Sequence, residues 1–205
     1  MKKIGLLGVF LAISYTCFTQ TGNQKLVGGG CDGCQLYVED MPKKLSSQTT
    51  IAQEEQGTKI NISGTIFKRN GKTPASNIIL YFYHTDNDGY YKAAPNQTNA
   101  KRHGRLRGWI KTDGKGYYSF STIRPASYPN TKMLAHIHPT IKEPNKNEYY
   151  IDDFVFSDDP FLTTKEKEKM QNRGGNGIVK LTKNKEEMWV GKRDIILGLN
   201  IPNYE

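Results

Sequence analysis

The stretch Lys59-Ile60-Asn61-Ile62-Ser63-Gly64-Thr65-Ile66-Phe67 decides the fold class. Ile60, Ile62 and Ile66 alternate with Asn61, Ser63 and Thr65. Side chains of a strand leave opposite faces in turn, so a period of two marks a strand with one buried face. Working outward, Asn70-Gly71 is a hairpin-turn pair, and Ile78–Tyr83 is a run of apolar and aromatic β formers suited to a buried strand. Asp88-Gly89 and Asp113-Gly114 mark further turns. Strands are predicted over Leu106–Lys111, Tyr117–Thr122, Leu134–Ile141, Tyr149–Phe156, Ile178–Leu181, Met188–Val190 and Ile195–Ile201. One short helix is predicted over Thr164–Asn172, with Thr163 or Thr164 as N-cap and acids in its first turn. Short strands at regular spacing argue for an all-β sandwich or barrel.

The chain has 205 residues, which suits one domain or one domain with an appendage. Hydrophobic residues make up 36%, enough to fill one core and too few for a polytopic membrane protein. Four His and three Cys are too few for an array of zinc fingers. The net charge is +9, but the bases are scattered; the densest runs are Lys101–Arg107 and Lys165–Lys169, and the second alternates with Glu. With no recognition helix or aromatic RNA-binding motif, the charge reads as a solvated positive surface. An anionic ligand is the next reading, and no nucleic-acid partner is expected. Twelve Tyr beside eight Phe and two Trp leave a question: which tyrosines fill sheets, and which do chemistry?

Lys2 and Lys3 precede an apolar stretch, Ile4 to Ser14, and the chain then turns polar. That order is the basic and apolar part of an export signal, too short to span a bilayer comfortably. The expected organisation is a signal peptide over 1–20, a polar arm over 21–57 and a β domain over 58–205. Export to the periplasm, cell surface or medium follows. A lipid anchor on Cys17 is the lesser reading, because Ser14, Tyr15 and Thr16 are not the small residues that such a site favours. Cys31 and Cys34 form a C-x-x-C. In an exported chain this spacing reads as a local disulfide before it reads as a metal or redox site.

Leu134-Ala135-His136-Ile137-His138-Pro139 carries the chemistry. On a strand, residues two apart share a face, so His136 and His138 present two imidazoles side by side. Alone the pair is weak evidence, since structural histidines are common. A cupin-like reading also competes, because Glu143 follows His138 by five, but the glycine that opens that motif is missing. Two tyrosine-bearing turns add to the pair. One is Asp86-Asn87-Asp88-Gly89-Tyr90-Tyr91, and the other runs from Thr122 through Arg124-Pro125 to Tyr128-Pro129. Phenolate is a hard anionic ligand, and two phenolates with two imidazoles suit Fe(III) better than Zn(II).

In these blocks the sequence resembles the intradiol ring-cleavage dioxygenases, the family of protocatechuate 3,4-dioxygenase and catechol 1,2-dioxygenase. The resemblance runs from about Ser63 to Pro160, with a weaker tail to Ile201. It covers the Gly89–Tyr91 turn, Thr112 to Pro125, the Tyr128-Pro129 pair, Ala135–His138, and Phe156 through Asp159-Pro160. It implies a β-sandwich of mixed sheets and a non-haem Fe(III) cofactor held by Tyr91, Tyr128, His136 and His138. Tyr90 then reads as a sheet or pocket residue, and His84 and His103 as surface or supporting residues. The resemblance also implies the reaction, in which O2 cleaves a catechol-type ring to a cis,cis-muconate-type product. Tyr128 is implied as the catalytic residue, the ligand that dissociates and takes a substrate proton. The alternative is a catalytically weak or inactive sandwich that binds iron or a catechol.

Three pocket positions depart from the family. Met133 stands where protocatechuate dioxygenases carry an Arg, Asn130 where the family has a Trp, and Asp153 where it has a Gln. Asp153 reads either as a pocket acid or as an exposed strand-edge carboxylate. The departures leave the four ligand positions intact and put the substrate, and the degree of turnover, in question.

Overall fold

The alternation of residues 59–67 is realised as written. Ile60, Ile62 and Ile66 are 0–1% exposed, while Asn61, Ser63 and Thr65 face partly outward. The structure is a computed structural model that describes residues 26–95, 97 and 101–205. The expected signal segment, with Cys17, lies outside the described residues.

In chain order the strands are β1 (Gln48–Thr50), β2 (Lys59–Phe67), β3 (Ile79–His84), β4 (Arg107–Lys111), β5 (Tyr117–Ile123) and β6 (His136–Lys142). They continue with β7 (Tyr149–Tyr150), β8 (Phe154–Phe156), β9 (Ile178–Val179), β10 (Thr182–Lys183), β11 (Trp189–Lys192) and β12 (Ile195–Ile196). One sheet runs β1-β5-β2-β11-β10, with β12 also on β2; the other runs β4-β3-β6-β8-β9, with β7 on β6. Both mix parallel and antiparallel pairs: β2 is antiparallel to β5 and parallel to β11, and β6 is antiparallel to β8, which is parallel to β9. This is an all-β sandwich of mixed sheets. Its core lies between the sheets, where Phe82 of β3 stacks on Phe120 of β5 at 4.1 Å and Phe154 of β8 meets Phe120 edge-on at 5.7 Å. Fully burying an aromatic of this size contributes about 1.5–3 kcal/mol, so these three rings are a large part of what joins the layers.

The helix α1 (Thr164–Lys169) forms where expected, and the Thr163 hydroxyl accepts from the Glu166 N–H at 3.3 Å. It ends earlier than predicted because Met170 is extended and Asn172 is left-handed at φ 52°. The predicted strand Tyr149–Phe156 is two strands. The chain breaks at 151–153, where the Asp152 N–H donates to the Arg173 carbonyl (3.0 Å) and the Asp152 carbonyl accepts from Arg193 Nη1 (2.7 Å). Likewise the predicted Ile195–Ile201 strand stops at Ile196, since Gly198 (φ 75°) and Asn200 (φ 54°) turn the chain.

The polar arm is knitted into the sandwich, and the expected boundary at residue 57 does not coincide with the sheet edge. Gln48–Thr50 pair in parallel with Ser119–Ser121. Ahead of them, Cys34–Val38 form a 3-10 helix. The Trp109 indole N–H donates to the Tyr37 carbonyl, and Arg107 donates to the Glu39 carbonyl and pairs with Asp40. Cys31 and Cys34 are joined by a disulfide. Among the described residues, no helix is long and apolar enough to cross a membrane.

Candidate metal centre

Strand β6 places the two histidines. Ile137 points into the core at 0% exposure, so its neighbours His136 and His138 share the other face. Ala135 holds the entry to the strand: its N–H donates to Asp159 Oδ2 at 2.8 Å. The tyrosines arrive from two loops that are tied together. After β3, the Asp86 carboxylate accepts from the N–H groups of Asp88 and Tyr90, both at 3.0 Å, and so shapes the turn that presents Tyr91. Between β5 and β6, the Ala126 N–H donates to the Asp86 carbonyl (3.1 Å), and the Ala126 carbonyl accepts from the Thr85 hydroxyl (2.7 Å). Gly89 is left-handed at φ 86°, and a Cβ there would lie 2.2 Å from the Ser127 carbonyl oxygen. Only glycine lets the loops meet this closely.

The four predicted ligand atoms converge. Tyr91 Oη lies 2.9 Å from Tyr128 Oη, Tyr128 Oη lies 3.4 Å from His136 Nε2, and His136 Nε2 lies 3.0 Å from His138 Nε2. Each imidazole is oriented from behind. His136 Nδ1 donates to the Leu134 carbonyl at 2.6 Å, and His138 Nδ1 donates to Asp153 Oδ1 at 3.0 Å. Those acceptors hold the ring protons on Nδ1, which leaves both Nε2 lone pairs facing each other. Burial, and then the charge of His138, push the His136 pKa down, so protonation is a poor way to relieve that repulsion. A cation between the lone pairs relieves it. With metal–ligand bonds of about 2.0–2.2 Å, neighbouring donors of one ion stand about 3 Å apart, as these do. The residues therefore fit a metal, and the two phenol oxygens favour a hard, highly charged one.

Burial, reinforced by the hydrogen bond with Tyr128, pushes the Tyr91 phenol well above its usual value. Asp153 behaves in the opposite sense. Burial works against its ionisation, yet the hydrogen bond and charge of His138 hold its carboxyl below the usual range. Asp153 lies close enough to the two histidines to suggest a His-His-Asp cluster. Its oxygen, however, is on Nδ1 of His138, behind the ring, so it supports a ligand and leaves the Nε2 side to the tyrosines.

Several expectations need correction. Tyr90 is not a sheet residue; it lies in the loop after β3 and is 53% exposed. Of the two readings of His84 and His103, surface or supporting, the structure keeps the second: they are 1% and 3% exposed, and burial lowers both pKa values to about 4. Glu143 does not join the histidines as a cupin ligand; it accepts from the Tyr149 and Tyr204 hydroxyls at 2.7 and 3.1 Å. Two supporting residues were not singled out from the sequence. Tyr83 pairs with His138 across β3 and β6, with ring centroids 4.7 Å apart, and stacks on His103 at 3.7 Å. Its signal was its place in a strand that neighbours the histidine strand. Asp159 was visible only as part of a motif.

Among the described residues, cavities reach the cluster from two sides. One, of about 660 Å³, is lined by Tyr128, His136, Met133, Leu134, Asp153 and Val155, among others. The other, of about 300 Å³, lies between the Cys31–Cys34 loop and Tyr83, His138 and Asp153. Asn130 sits at a left-handed turn position (φ 60°) on the exposed loop after Tyr128.

Comparison with known proteins agrees with this architecture. A family model described as Dioxygenase matches residues 34–170. The dioxygenase domain of a dioxygenase–carbohydrate-binding protein fusion from the cellulolytic bacterium Streptomyces sp. SirexAA-E superposes with a TM-score of 0.57. The identity is 21%, over 78% of this chain and 90% of that one. 3-Chlorocatechol 1,2-dioxygenase from Rhodococcus opacus 1CP gives a TM-score of 0.57 at 19% identity, over 78% of this chain and 67% of that one. Catechol 1,2-dioxygenase from Acinetobacter sp. ADP1 gives 0.54 at 18% identity, over 77% of this chain and 60% of that one. The shared feature is the fold, and the match takes in only three-fifths of the Acinetobacter enzyme. With two thirds of its length matched by the family model, the chain belongs to the dioxygenase family, and its sandwich is the intradiol dioxygenase fold.

Proposed function

We propose that this protein is an exported non-haem Fe(III) intradiol dioxygenase that cleaves a catechol-type ring with O2 to a cis,cis-muconate-type product. The observation that carries the reading is the convergence of Tyr91, Tyr128, His136 and His138 donor atoms within 2.9–3.4 Å of their neighbours. Held by Tyr91, Tyr128, His136 and His138, Fe(III) would supply Lewis acidity toward the substrate without need of an external reductant.

The protein's own groups divide the remaining work. The Leu134 carbonyl and the Asp153 carboxylate hold the two imidazoles in register. Tyr128 Oη faces the larger cavity, within reach of a bound hydroxyl, and is the proposed acceptor of a substrate proton. Tyr91 is anchored between Tyr83 and Tyr128 and stays in place. Leu134 and Val155 give the cavity an apolar wall for the ring face.

Export is supported by the basic and apolar order of residues 2–14, and the disulfide at Cys31–Cys34 suits an oxidising compartment. Mass spectrometry of the mature N-terminus tests it, and a retained leader overturns it. For the chemistry, the purified protein is reconstituted with iron. A red tyrosinate-to-iron charge-transfer band is expected, weakened or lost in Tyr91→Phe and Tyr128→Phe, with oxygen uptake on a panel of catechols. A colourless protein sinks the iron site. Colour without uptake on any catechol leaves an iron-binding module in place of an enzyme.

A further inference from the structure

The larger cavity is built for more than one ring. Its volume of about 660 Å³ lies within the range of about 300–1,000 Å³ that holds drug-sized ligands. It also continues. Leu134, Asp153, Val155 and Glu166 line it and also line a neighbouring groove of about 320 Å³, which runs on past Tyr150 and Met170. One end of this path is the ligand cluster at Tyr128, His136 and His138. The other is open surface beside α1.

The lining has a definite charge. Nearest the ligand cluster stand Met133, Leu134 and Val155, which carry no charge, and the Asp153 carboxylate. Glu166, further along, is neutralised by Lys169, its neighbour one turn on in α1. Lys132 lies at the exposed rim, where a cation contributes little to holding an anion. Met133 itself is 49% exposed and lines the cavity three residues ahead of His136. A carboxylate on the substrate ring would meet the like charge of Asp153 and find no cation at Met133 to offset it.

We infer that the substrate is a catechol carrying an extended, non-acidic substituent, its catechol end at Tyr128, His136 and His138 and its substituent laid along the groove past Leu134 and Val155 toward Tyr150 and Met170. This rests on the reading of the cluster as an Fe(III) centre for catechols. Asp153 sets the preference against acids, and Met133 offers no cation to offset it. An apolar substituent gains from leaving water along Leu134, Val155 and Met170.

The test is anaerobic titration of the iron-loaded full chain, read by the shift of its charge-transfer band. The probes are catechol, protocatechuate, and a catechol with a neutral arylalkyl group at the 4-position. The arylalkyl catechol is expected to bind at least tenfold tighter than catechol, and protocatechuate no tighter than catechol. Met133→Arg is expected to improve protocatechuate binding about tenfold and to leave an iron band of unchanged intensity. Protocatechuate binding tightest to the unaltered protein, or arylalkyl and plain catechol binding equally, overturns the inference while leaving the iron reading intact. Failure of every catechol to shift the band overturns the iron–catechol reading itself, and the inference with it.

Discussion

At the residue scale, the four candidate ligand positions could be named from the sequence because they sit in short blocks of fixed order: Gly89-Tyr90-Tyr91, Tyr128-Pro129 and His136-Ile137-His138. The partners behind them were not. Asp153 is fifteen positions from His138 in sequence, and only the pairing of β6 with the 149–156 region brings its carboxylate to 3.0 Å from Nδ1. From sequence alone its role stayed open between pocket acid and exposed carboxylate. The structure places it in the lining of the cavity and adds a second role, as the acceptor that fixes the His138 tautomer. An anionic acceptor there makes the imidazole a stronger donor to a metal than a neutral amide does. Asp153→Asn keeps the shape and removes the charge. We expect iron affinity to fall roughly 10- to 100-fold, the range typical of lost outer partners. The charge-transfer band should move with it, because a weaker imidazole donor leaves the iron more electron-poor. Equilibrium dialysis against a competing chelator measures the first and absorption spectroscopy the second. Unchanged affinity and an unmoved band would show that Asp153 only fills space.

At the element scale, strand existence was readable wherever alternation or a β-rich run was long, as in β2, β3, β5 and β6. It failed at 149–156 and 195–201, where apolar residues suggest a continuous strand but backbone bonding to Arg173 and Arg193, and the left-handed Gly198 and Asn200, interrupt it. Those interruptions are long-range events that no local pattern encodes. The join between the sheets shows the same limit. His84, at the end of β3, uses Nε2 to reach the Thr122 hydroxyl on β5 at 2.8 Å and Nδ1 to reach the Thr85 carbonyl at 2.7 Å. In sequence it read only as a surface or supporting residue; in the fold it ties one sheet to the other. Burial lowers its pKa to about 4, below the ordinary value near 6.5. The sign follows from proton binding. Between about 6.5 and about 4 the unfolded chain binds a proton that the folded chain excludes, so the stability held above 6.5 drains away as pH falls toward 4. His103 adds to the same trend, since burial lowers it equally. His84→Gln removes one of the two contributions. In urea melts from pH 7 to pH 4, the stability advantage of the unaltered protein over the variant should shrink steadily as pH falls. An advantage that holds constant over that window would mean His84 is not kept neutral by burial.

At the scale of the whole molecule, the all-β sandwich was legible from strand count and turn spacing, while the integration of the arm was not. Nothing local in Gln48-Thr49-Thr50 signals a parallel partner some seventy residues on. The proposed metal centre has the same global character. Its donors come from the loop after β3, the loop before β6 and β6 itself, so an ion held there would join segments that the unfolded chain scatters. An ion that binds the folded chain and not the unfolded one stabilises it by about 2.7 kcal/mol at a hundredfold excess over its dissociation constant. For a domain of this size, each kcal/mol raises the Tm by about 2–4 °C. Iron loading should therefore raise the midpoint by roughly 5–10 °C. The Tyr91→Phe/Tyr128→Phe double variant keeps both rings and both histidines but loses the two oxygen donors, and its midpoint should rise far less. Calorimetric melts of both proteins, each with iron and after chelation, separate a built site from incidental binding. Equal shifts in the two proteins would place the iron elsewhere on the surface, and the convergence of the four side chains would then have to be explained by packing alone.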